Sequence, residues 1–160
     1  MDLTPKPASA SATEMTQVVL PNDANPLGFI LGGTVMHLID IAGAIACHRH
    51  TRTRLVTAAV DDLQFLHPIK VGDLIILRAR VTCVFTTSLE VQVDVFSEET
   101  LTGTRQQTSR AFLTFVAIDR GGNRVRVPPL LVETDEERRV CDQAHARREE
   151  RLRRKVTTPL

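Results

Sequence analysis

Asp40 is the only acidic residue in an apolar run from Gly33 to Cys47 that reads as one enclosed helix. A carboxylate among apolar neighbours is costly unless it is paired, hydrogen-bonded or solvated by a pocket. Its retention therefore points either to a satisfied structural acid or to a group held ready for acid–base or nucleophilic work. Gly33 stands seven positions earlier, and at about 100° per residue the two fall within roughly 20° of each other on one helical stripe. Gly43 and Ala44 share that side, so the stripe is expected to floor a cleft with room for a ligand. Gly32 and Gly33 open the helix, where the first N–H groups lack intrahelical partners and the dipole favours negative charge. Such donors suit a developing oxyanion, and a glycine lets a carbonyl approach them without meeting a Cβ.

The elements that must position these residues follow from pattern. Thr16 to Leu20 reads as a short strand, and Pro21 to Pro26, with Asp23 and Asn25, as turn chemistry. After the helix and its basic end at His48-Arg49-His50 come four strand-like runs, Leu55 to Phe65, Leu74 to Phe85, Ser88 to Ser97 and Arg105 to Ile118. Alternation is clearest where Leu89, Val91, Val93 and Val95 interleave with Glu90, Gln92 and Asp94. One long apolar helix followed by consecutive strands predicts an α+β domain with an antiparallel sheet wrapped around that helix. Residues 1–14 read as a disordered leader, 15–120 as the domain, and 121–160 as a C-terminal extension. Within the extension Thr134 to Lys155 forms a charged surface helix, with capping-box spacing between Thr134 and Glu137 and a basic run at its end. That run reads first as a solvated face, with phosphate binding as the alternative.

Composition narrows the function classes. The 160 residues suffice for one domain with a real core, 42% are hydrophobic, and the formal net charge is +1. Mean hydropathy is −0.05. Nothing here suggests a nucleic-acid partner, no apolar run reaches the ~20 residues of a membrane span, and the polar N-terminus lacks a signal-peptide core, so a cytoplasmic address is expected. Cys47, Cys83 and Cys141 are widely spaced without a CxxC, and are expected to be reduced packing residues rather than a disulfide framework or a zinc site. His48-x-His50 lacks a neighbouring acid or cysteine, so no metal is expected there. Cys47 and His48, adjacent in the helix, point about 100° apart and do not form a thiol–imidazole pair.

The order Asp23-Ala24-Asn25-Pro26, Gly28, Gly32-Gly33-Thr34, Met36, Asp40-Ile41-Ala42-Gly43, Val56-Thr57-Ala58-Ala59-Val60-Asp61, Phe65 and Pro68 to Asp73 resembles the hotdog-fold acyl-CoA thioesterases of the brain-type and YciA-type group. The likeness runs from about Thr16 to Asp119 and takes in Thr87-Ser88 and Val127-Pro128-Pro129. The resemblance implies a hotdog fold and hydrolysis of acyl-CoA thioesters to free fatty acid and CoA. It implies Asn25 and Asp40 as the catalytic pair, with Asp40 as general base or direct nucleophile. Gly33 N–H then supports the oxyanion. Gly32, Arg54, Thr87 and Ser88 are the positions it suggests for substrate binding. Where relatives carry a basic residue before the Thr-Ser pair, this chain has Phe85-Thr86. No cofactor is implied, since CoA belongs to the substrate. The resemblance further implies sites shared between chains, a homodimer as the minimum and a trimer of dimers as the expected hexamer. The alternatives are another hotdog acyl-CoA enzyme, such as a hydratase, and a noncatalytic acyl-CoA-binding module.

Overall fold

A computed structural model describes residues 1–157, with side chains as far as Lys155, so the last three positions of the 121–160 extension lie outside the described residues. Helix α1 spans Gly32–Thr51. Around it bends a five-stranded antiparallel sheet made of β2 (Thr13–Val18), β4 (Leu74–Val84), β5 (Ser88–Glu98), β6 (Arg105–Ile118) and β3 (Arg54–Phe65), in that spatial order. This is the hotdog arrangement. A two-residue β1 (Lys6–Pro7) pairs in parallel with β7 (Leu130–Leu131), and a second helix, α2, spans Asp135–Thr157. No helix among the described residues is long and apolar enough to cross a membrane.

The alternation that marks the strands also builds the core. Ile75, Leu77, Ala79 and Val81 of β4, Leu89, Val91, Val93 and Val95 of β5, and Ala111, Leu113 and Phe115 of β6 face α1, which offers Val35, Leu38, Ile39, Ala42 and Ala46. Gly43 sits where α1 lies close against the sheet. A Cβ added there would lie 3.1 Å from Val91 Cγ1 and 3.3 Å from Phe115 Cε2. The small residues beside Asp40 are thus a packing seam at Gly43, not the floor of an open cleft.

Three expectations need correction. Residues 1–14 are ordered rather than a disordered leader. Lys6 N–H donates to Pro129 O at 3.0 Å, Ala8 and Ser11 are buried, and β2 begins at Thr13. The ordering comes from partners far along the chain, which local composition does not register. Cys83 and Cys141 are not reduced packing residues but are joined as a disulfide between β4 and α2, leaving Cys47 as the free, buried thiol. Finally, α2 is docked on the outer face of the sheet instead of being solvated all round. Arg147 reaches Glu90 of β5 with two hydrogen bonds at 3.0 and 2.8 Å, and its guanidinium lies 3.7 Å from the centre of the Phe112 ring. Arg80 pairs with Glu137 at 2.6 Å and Arg151 with Asp61 of β3 at 2.9 Å. Thr134 does cap the helix, its hydroxyl accepting from Glu137 N–H at 3.1 Å.

Candidate active site

The segment before α1 is a tight loop built on Asn25. Its main-chain N–H donates to Phe29 O at 2.8 Å, and its main-chain O accepts from Gly28 N–H at 3.0 Å. Gly28 adopts a φ of +82°, a left-handed conformation that favours glycine. The Asn25 side-chain oxygen accepts from both Leu27 N–H (3.0 Å) and Phe29 N–H (3.2 Å). Two main-chain donors on one oxygen fix which end of the amide is which. The Asn25 Nδ2 is thereby presented as a donor, with no hydrogen-bond partner among the described residues. Ile30 N–H to Ile69 O at 2.8 Å and Val71 N–H to Gly28 O at 3.0 Å clamp this loop onto the connection that leads into β4.

Leu31 precedes α1 and gives it no side-chain cap, and the first helical hydrogen bond runs from Val35 N–H to Leu31 O at 3.1 Å. The N–H groups of the first turn therefore stay open to a ligand. Gly33 is exposed, and a Cβ there would meet nothing within 4 Å. Gly32 packs under the Phe65 ring, 3.4 Å from where its Cβ would be. Asn25, Phe29, Gly32, Val35, Phe65 and Leu66 line part of a cleft of about 380 Å³.

Asp40 lies farther along α1 and does not line that cleft. It is half-buried, and Thr57 of β3 donates its hydroxyl to Asp40 Oδ1 at 2.7 Å. Thr57 is the residue that reading the sequence did not single out, although Val56-Thr57-Ala58-Ala59 stood in the quoted motif. Its signal was a position in an order of residues, with no spacing rule linking it to Asp40.

The remaining expected site residues gather elsewhere. Arg54 begins β3 opposite Ile118. Thr87 and Ser88 form the turn into β5, where Thr87 O accepts from Ala117 N–H at 2.9 Å. Ser88 pairs with Val116, and Val116 with Val56. This end of the sheet is separated from the Phe65 end by the 12-residue length of β3, roughly 35 Å of extended strand. Within one chain, then, Asn25, Gly32 and Gly33 come together, Arg54, Thr87 and Ser88 come together, and Asp40 with Thr57 lies between. His48 and His50 do not converge. The His48 Nδ1 lies 2.9 Å from Thr53 O, while the His50 Nε2 lies 2.8 Å from Pro128 O in a fully buried position. Burial pushes the His50 imidazole below its ordinary range, although its bond to Pro128 opposes that. Burial alone pushes the Cys47 thiol far upward, so it is an inert core group.

Geometry of this kind has close parallels. The sequence pattern of the Thioesterase superfamily matches residues 27–104. A Bacillus subtilis protein named as the uncharacterized acyl-CoA thioester hydrolase YkhA is 41% identical over 140 residues, covering 88% of this chain and 81% of that protein. The chain spans about a quarter, 26%, of the mammalian acetyl-coenzyme A thioesterases that it matches. An apo-hexameric acyl-CoA thioesterase superposes with a TM-score of 0.89 at 40% identity, covering 94% of this chain and 97% of that one. The acyl-CoA hydrolase of Staphylococcus aureus, in complex with butyryl coenzyme A, coenzyme A and coenzyme A disulfide, superposes with a TM-score of 0.86 at 34% identity over 95% of this chain and 93% of that one.

Proposed function

This chain belongs to the thioesterase superfamily, among the acyl-CoA thioester hydrolases, and from that premise we propose how its residues carry the reaction. The protein is an enzyme that hydrolyses acyl-CoA thioesters. Asp40 is the group that activates water or attacks the thioester carbonyl, and the observation that carries this role is the 2.7 Å hydrogen bond from Thr57. A short bond from a hydroxyl to one carboxylate oxygen holds the carboxylate in one orientation and leaves its other oxygen for the reacting groups. The Asn25 Nδ2 and Gly33 N–H are the donors for the carbonyl oxygen as it becomes an oxyanion.

The distribution of these groups along one chain favours a site shared by two. β3 is an edge strand, and Val56, Val60 and Phe65 on it are exposed together with Met36 of α1. A long edge with apolar flanks calls for cover. Antiparallel pairing of β3 with the same strand of a second copy about a two-fold axis reverses its ends. That brings Asp40 and Thr57 of one chain toward the partner's counterpart of the Asn25–Gly33 cleft. It also sets Arg54, Thr87 and Ser88 at the cleft's mouth, where they suit the CoA phosphates. A dimer is then the smallest active unit, and the hexamer of the solved thioesterase supports a trimer of such dimers.

The direct test is a thiol-release assay over acyl-CoAs of graded chain length, followed by mixing Asn25→Ala and Asp40→Asn subunits. Hydrolysis by the intact protein and partial recovery in mixed oligomers are expected. No thiol release from any acyl-CoA rejects the enzyme, and no recovery in verified mixtures rejects the shared site.

A further inference from the structure

Cys83 faces α2 because of a bulge. Along β4, residues 75, 77, 79 and 81 point into the core, and strict alternation would send residue 83 there too. Opposite β5, however, Val81 pairs with Val91 and Cys83 with Glu90, so β4 carries one extra residue at this point. The bulge inverts the phase and turns Cys83 outward. There it meets Cys141 of α2, the two Cα atoms 4.8 Å apart. His145, one helical turn after Cys141, brings a ring nitrogen within 4.8 Å of both sulfur atoms. The two cysteines differ in access, since Cys83 is 1% exposed and Cys141 is only half-buried.

From this arrangement we propose that the Cys83–Cys141 pair is a thiol–disulfide exchange site for low-molecular-weight thiols, entered at Cys141. It rests on the hydrolase reading in one respect, that CoA, the thiol which hydrolysis releases, is such a partner. The incoming thiolate attacks Cys141 Sγ and forms a mixed disulfide. The Cys83–Cys141 bond breaks, and its electron pair leaves on Cys83 Sγ, which takes a proton from His145 or water. A second thiolate attacks the small-molecule sulfur of the mixed disulfide and releases the Cys141 thiolate, which is protonated in turn. In balance, two small thiols are oxidised to their disulfide and the protein disulfide is reduced to two thiols.

The structure gives the exchange a consequence. Of α2, only Ala144 is buried as part of the core among the described residues, so the helix depends on this bond and on its pairs with Glu90, Asp61 and Arg80 to stay on the sheet.

The test uses the full-length, oxidised protein without acyl substrate. It is incubated with CoA, glutathione or neutral 2-mercaptoethanol, trapped with iodoacetamide and mapped by mass spectrometry. The expected result is an adduct on Cys141 with alkylation of Cys83. All three thiols should give this adduct, since entry is set by access to Cys141. Full reduction should lower the melting temperature by roughly 5–15 °C, and Cys141→Ser should reproduce that drop while taking no adduct. A pair that stays closed in excess thiol, or an adduct on Cys83 instead, overturns the proposal. The Asp40→Asn protein should exchange normally while failing to hydrolyse. Lost exchange with intact hydrolysis thus rejects this site alone, and lost hydrolysis with intact exchange rejects only the catalytic reading.

Discussion

The hydroxyl of Thr57 donates to Asp40 at 2.7 Å and so ties the central helix to the edge strand of the sheet. The acid is held by a residue from a different element, which fixes its orientation without burying its charge.

Removing either partner has a calculable effect. Asp40→Asn should lower turnover by about 10²–10⁴-fold, the usual contribution of a general base, with melting temperature and oligomer size unchanged. Thr57→Val removes a hydrogen bond to a charged group, about 1.5–3 kcal/mol, and should lower kcat/KM by roughly 10- to 150-fold. Steady-state kinetics with one acyl-CoA checks both, and near-native turnover in Asp40→Asn would reject its role.

Asn25 has two separable tasks. Its oxygen holds the loop through Leu27 and Phe29, while its Nδ2 remains for the substrate. Asn25→Asp keeps the acceptor and removes the donor, so it should cut kcat by about 10²–10³-fold and leave thermal stability intact. Asn25→Ala should lower both. Equal stability loss in the two variants would show that the side chain serves the loop alone.

Gly33 and Gly43 should separate in the same way. An added methyl at Gly33 meets no atom within 4 Å, so Gly33→Ala should spare the fold and raise KM or lower kcat by crowding the open N–H groups. Gly43→Ala drives a methyl into Val91 and Phe115 and should cost about 1–3 kcal/mol of stability, the usual penalty for overpacking. Urea titration of both variants beside their kinetics decides the matter.

Arg147→Ala should be the most destabilising surface-helix substitution. Glu90 is 1% exposed and takes its charge partner from Arg147, itself only 18% exposed. Truncating the arginine strands a buried carboxylate, at a cost of about 3–5 kcal/mol. Replacing Glu90 by Gln in the same chain should recover part of that loss, which chemical denaturation would detect.

His50 predicts the acid side of the stability profile. Its imidazole titrates below the ordinary range in the folded protein because burial disfavours the charged form. The unfolded chain therefore binds the proton first, and folding stability should fall as pH drops below about 6.5, until the folded state also takes the proton. The urea midpoint measured from pH 7.5 to 5 should show this slope, and His50→Gln should flatten it. An unchanged slope in that variant would remove His50 from the account.

What the sequence determined by itself was local in origin. Period-two alternation located β5, the unbroken apolar run located α1, and the lone acid within it marked Asp40, because each follows from residues within a few turns or pleats of one another. The tertiary structure decided what depends on partners distant in the chain. The bulge that turns Cys83 toward Cys141 exists only in the register of β4 against β5. The pairing of Lys6 with Leu130 orders an N-terminus whose composition looks disordered. The Thr57 hydroxyl meets Asp40 because the chain returns along the helix after Arg52, whose left-handed φ of 54° closes α1. The placement of Arg54, Thr87 and Ser88 at the far end of β3 from Asn25 likewise comes from strand register. Register is set by cross-strand hydrogen bonds and core packing summed over the whole sheet, and no short window of sequence contains those terms.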